Sequence, residues 1–137
     1  PRIIKGQAER TGVIFIDHLG YQTYELASGA EGVVVVGDDT VAIVGDILYR
    51  LQVPLLGIVD GDADGLLSKV HTPQASLIVT VRNDDAAGAK VFREIFNHQV
   101  KIAEKFAHVR TEILKLIKDD VIKLLKFNLR LSPDNPQ

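Results

Sequence analysis

Asp60, Asp62 and Asp64 stand at alternate positions in the run Val53-Pro54-Leu55-Leu56-Gly57-Ile58-Val59-Asp60-Gly61-Asp62-Ala63-Asp64-Gly65. Carboxylates this close repel one another unless something neutralises them, so the chemistry they imply is capture of a cation. Hard oxygen donors without histidine or cysteine favour Mg²⁺, Mn²⁺ or Ca²⁺ over zinc or copper, and Mg²⁺ or Ca²⁺ is the expected cofactor. The spacing matches the first six positions of an EF-hand calcium loop, and Leu67 matches its apolar eighth position. The twelfth position should be a bidentate glutamate and is His71, and a strand rather than a helix leads into the loop. A metal loop of another architecture is therefore expected, with Asp60, Asp62 and Asp64 as ligands. The competing reading is three solvated acids capping a turn.

Two further acidic stretches follow apolar runs. Gly37-Asp38-Asp39-Thr40 lies at a strand-to-helix turn, where backbone N–H groups and the helix dipole attract anions. These four residues are the expected contacts for a phosphorylated small molecule or nucleotide. Two adjacent carboxylates would repel a phosphate unless a metal bridges them, and simple capping by Asp39 or Thr40 is the alternative. Asp84 and Asp85 read as caps for a helix beginning near Ala86. No GxGxxG and no GxxxxGK[ST] occurs, so neither a standard dinucleotide fingerprint nor a P-loop is present.

The elements that position these residues are legible as patterns. Gly12–Ile16 reads as a strand, His18-Leu19-Gly20 as a turn, and Tyr21–Leu26 as a returning strand. Val33–Val36 is β-branched on both faces, as in parallel sheets covered by helices on both sides. A helix over Val41–Leu51 and a strand over Val53–Val59 follow, so strand, helix and strand within about 30 residues make a parallel crossover. Ala75–Arg82 is another strand, and Ala86–Phe96 a helix that Asn97-His98 interrupts. Ile102, Phe106, Val109, Ile113, Ile117, Val121 and Leu124 then fall on one helical stripe, which predicts a long helix over about 99–129. The fold class expected is α/β, a mainly parallel sheet with an N-terminal β-hairpin and a long C-terminal helix. In such a sheet ligands bind outside the carboxyl ends of the strands. Asp38, Asp39, Asp60, Asp62, Asp64, Asp84 and Asp85 would then share one rim.

Composition bounds the possibilities. With 137 residues, 46% hydrophobic and 25% charged, the chain reads as a single α/β domain over 1–137. It begins at Pro1 and contains no methionine, which suggests the C-terminal part of a longer polypeptide. The absence of cysteine excludes disulfides, thiol catalysis and thiolate metal sites and fits a cytoplasmic protein. No apolar run approaches the roughly 20 residues that span a bilayer, so no membrane partner is expected. Residues 31–85 hold nine acids against three bases, a poor landing surface for nucleic acid. The apolar stripe from Ile102 to Leu124 is longer than one sheet requires, and a homo-oligomer through the C-terminal helix is expected.

The residues Gly37-Asp38-Asp39-Thr40, Gly45-Asp46-Ile47-Leu48-x-Arg50, Pro54 and Gly57-Ile58-x-Asp60-Gly61-Asp62-x-Asp64 resemble a family of uncharacterised proteins found mainly in methanogenic archaea. The resemblance is specific over about residues 31–65 and implies no activity. A second resemblance is to Toprim domains of primases and topoisomerases, which place Asp-x-Asp after a strand to hold Mg²⁺ for phosphoryl transfer. It would make Asp60, Asp62 and Asp64 metal ligands. Toprim domains carry a glutamate after their first strand, where this chain has Gly37-Asp38.

Three functions are thus in play. The first is an α/β domain binding a divalent cation with a phosphorylated ligand. The second is a structural or oligomerisation module without catalysis, and the third a Toprim-like Mg²⁺-dependent phosphoryl-transfer domain. If Asp62 shares a cation with its neighbours, Asp62→Asn weakens metal binding yet stabilises the metal-free protein by relieving repulsion. Melting curves of both proteins, with chelator and with millimolar Mg²⁺ or Ca²⁺, check this. Solvated acids would give neither effect.

Overall fold

A computed structural model describes residues 10–17, 23–61 and 75–127. In chain order these form β1 (Val13–Asp17), α1 (Thr23–Ala27), β2 (Gly32–Val36), α2 (Asp38–Leu51), β3 (Leu55–Val59), β4 (Ser76–Val81), α3 (Asp84–Glu94), β5 (Lys101–Ile102), α4 (Phe106–Ile117), a 3-10 turn (Lys118–Asp120) and β6 (Val121–Phe127). The described strands make one six-stranded sheet in the order β5-β1-β2-β3-β4-β6.

β1, β2, β3 and β4 pair in parallel, in sequence order. The expected parallel strands at 33–36, 55–59 and 76–81 are therefore present, and the helix over 41–51 packs on them. Every residue of β2, β3 and β4 is buried, as continuous apolar runs require when helices cover both faces. On one face Phe15, Val34, Val36 and Ile58 meet Val91 of α3 and Val109 and Ile113 of α4. On the other, Ile14, Val33, Val35 and Leu55 meet Ala27 of α1 and Val41, Val44 and Leu48 of α2. Small residues let the layers close. A Cβ at Gly88 of α3 would lie 2.8 Å from Cγ1 of Val36, so this helix rests on the sheet at that point.

Three expectations are corrected. The N-terminal β-hairpin is absent: Thr23–Ala27 is a helix, and β1 pairs with β2 rather than with a returning strand. Leu26 and Ala27 are adjacent and both pack into the core, which a helix allows and an alternating strand does not. The long C-terminal helix is also absent. Only Phe106–Ile117 is α-helical, and Lys118–Asp120 turns the chain into β6. The stripe continued across this break because Ile117, Val121 and Leu124 keep a helical spacing into what is in fact a strand. What selects the strand is β4, whose backbone would otherwise end the sheet unpaired; each buried unsatisfied group costs about 1–3 kcal/mol. Arg82 holds the turn, its N–H donating to the Asp120 carbonyl at 3.3 Å and its guanidinium to the Asp119 carbonyl at 2.9 Å. The sheet is consequently mixed rather than mainly parallel, since β5 and β6 close its two sides in antiparallel pairing. Asn97 and His98, both at positive φ, do interrupt the helical run after α3.

β2 also depends on one close approach. A Cβ at Gly32 would overlap the Phe106 ring, which is packed over the strand's start. Gly32→Ala is expected to destabilise the protein by about 1–3 kcal/mol through overpacking. Phe106→Leu should relieve part of that, so the double variant loses less than the sum of the single losses. Strict additivity in urea melts would refute the contact.

Candidate metal centre

The turn from β2 into α2 is built on Gly37, whose φ of 106° is open to glycine and strained for other residues. Its N–H donates to the Ile58 carbonyl at 2.9 Å, tying the end of β2 to β3. Asp38 then opens α2 and turns its carboxylate over the end of β3. There Oδ1 accepts from the N–H groups of Asp60 at 3.3 Å and Gly61 at 3.4 Å. Gly61 has no side chain to spare, because a Cβ there would occupy the place of Asp38 Oδ2.

From the opposite face of the sheet comes α3. Asn83 caps it, its side-chain oxygen accepting from the Ala86 N–H at 3.0 Å. Asp84 is therefore released from the capping role expected of it, and it is buried, with 8% of its surface exposed. Asp38, Asp60 and Asp84 each offer a carboxylate oxygen within 4.8 Å of the others. Among the described residues this is a grouping that could hold a metal ion.

Helix N-termini on both faces of the sheet thus meet at the end of β3, and their dipoles favour negative charge by about 0.3–1 kcal/mol each. The repulsion that remains is visible at Asp84. Burial pushes its carboxyl above the ordinary aspartate value, and the negative charges of Asp60, Asp85 and Asp38 push the same way. A side-chain hydrogen bond with Asp60 adds to the shift by favouring the protonated form.

Five of the seven acids of the expected rim are among the described residues, and these five divide. Asp38, Asp60 and Asp84 come together; Asp39 and Asp85 are exposed. Asp62 and Asp64, two of the three expected metal ligands, lie outside the described residues, as does His71. Of the expected phosphate contacts, Gly37 has its N–H engaged by Ile58, Asp38 belongs to the carboxylate group, Asp39 is exposed and Thr40 is buried. Asp17 ends β1 on the same side of the sheet, and one of its carboxylate oxygens is shielded from solvent. It went unread because His18-Leu19-Gly20 drew attention to a turn, although an acid closing an apolar run was the signal already used for the other strands.

A family model for an uncharacterized protein conserved in archaea, DUF2117, matches residues 2–99. The chain belongs to this family. The matched span includes all three clustered acids. The chain is also similar to the uncharacterized protein MJ0065 of Methanocaldococcus jannaschii, with 30% identity over 128 residues. That alignment covers 89% of this chain and 34% of the relative, so the chain spans about a third of the relative's length. No solved structure matches. No helix among the described residues is long and apolar enough to cross a membrane.

The raised carboxyl of Asp84 makes a prediction with a definite sign. Between its unfolded and folded values the native state holds the extra proton, so stability falls as pH rises through the folded value. Asp84→Asn removes that dependence. In chelator, the melting temperature of the variant relative to wild type should rise from about pH 3 to about pH 7. A difference that stays constant or shrinks over this range contradicts the assignment.

Proposed function

We propose that Asp38, Asp60 and Asp84 bind a divalent cation, Mg²⁺ or Ca²⁺, and that the cation holds a phosphorylated small molecule against the first turn of α2. The observation that carries this reading is the convergence of the three carboxylates from two helix starts and a strand end. Capping alone does not require them to meet, and Asn83 already caps α3. A cation replaces the proton that Asp84 favours, and turns the mutual repulsion into shared coordination.

Oxygen-only ligands suit a hard ion. Mg²⁺ is typically bound through one or two carboxylates with phosphate oxygens and water completing an octahedron. Ca²⁺ takes about 6–8 oxygens and would draw on Asp62 and Asp64, which are proposed as further ligands from the loop after Asp60. The first-turn N–H groups of α2 lack acceptors within the helix and are suited to a phosphate already bridged by the metal.

A phosphoryl-transfer reading of Toprim type uses the same acids. It is favoured by the placing of Asp38 beside Asp60 after neighbouring parallel strands, with aspartate standing in place of the Toprim glutamate. On that reading Mg²⁺-dependent cleavage or synthesis of a phosphodiester would accompany binding. A cytoplasmic setting is part of the proposal.

Metal binding is tested by thermal melting. Saturation at about 100 times the dissociation constant should stabilise the wild type by roughly 2.7 kcal/mol. Asp60→Asn and Asp84→Asn should abolish the shift, and Asp84→Asn should melt higher than wild type in chelator. Calorimetry with a nucleotide and sugar-phosphate panel should give heat only when metal is present. If neither ion moves the wild-type transition, the cation site is wrong.

A further inference from the structure

We draw no further inference here: the strongest candidate, the crevice between the end of α3, β5 and α4 where Glu94, Glu104 and Glu112 rim Ile95 and Ile102, is an acidic cluster whose carboxylates pair at the surface with Arg93, His108 and Lys115, and nothing among the described residues points to a ligand for it.

Discussion

The parallel pairing of β1 to β4 is the constraint from which the rest follows. Parallel neighbours cannot be joined by tight turns, so the chain must cross the sheet between them. The described crossings, α1 and α2, lie on one face, while α3 and α4 cover the other. Burial on both faces then demands the unbroken apolar runs of Val33–Val36 and Leu55–Val59. The same pairing sends these four strands out at one end of the sheet, so the residues that follow them become neighbours without any local signal linking them. Asp38 and Asp60 are 22 positions apart, and the Asp60 N–H reaches the Asp38 carboxylate for this reason.

At that end the forces on the carboxylates are nearly opposed. Burial and mutual charge act against ionising Asp84, while helix starts and backbone N–H donors favour the anions around it. Asp60 and Gly61, which follow β3, are placed around this compromise. Asp38 is held by two amides of the loop, and Gly61 is the residue type that permits the loop to pass so close. The side-chain hydrogen bond between Asp84 and Asp60 belongs to the same balance, since it favours the protonated form of Asp84.

How far the site was legible depended on range. The β2-α2-β3 unit could be read from local pattern, because an all-β-branched run and a following amphipathic helix leave few alternatives. Asp60 was legible as an acid at a strand end, but Asp38 and Asp84, which meet it, come from distant parts of the chain that no local signal links to it. Asp84 looked like a cap, and only the geometry of Asn83 at the helix start frees it for the cluster. β6 was hidden for a different reason: Val121 and Leu124 sit at a helical spacing, and they come opposite Val81 and Val79 on one face of the sheet only because the ladder skips Ile122. The choice between helix and strand is made by β4, whose open backbone lies some 40 positions away. Thr23–Ala27 misled in the same manner, since a five-residue helix is too short for its periodicity to outweigh a plausible alternation.

The resting of α3 on Val36 carries a consequence for the rim. Gly88 and Asp84 are four residues apart and so lie on one face of that helix. The missing side chain at 88 sets the height of the helix above the sheet, and with it the reach of the Asp84 carboxylate toward Asp38 and Asp60. Oxygen atoms approach Mg²⁺ to about 2.0–2.1 Å and Ca²⁺ to about 2.3–2.6 Å, a difference of a few tenths of an ångström. One methyl group at Gly88 would displace the helix by a comparable amount. The gap between the three carboxylates is thereby linked to a buried apolar contact one helical turn away.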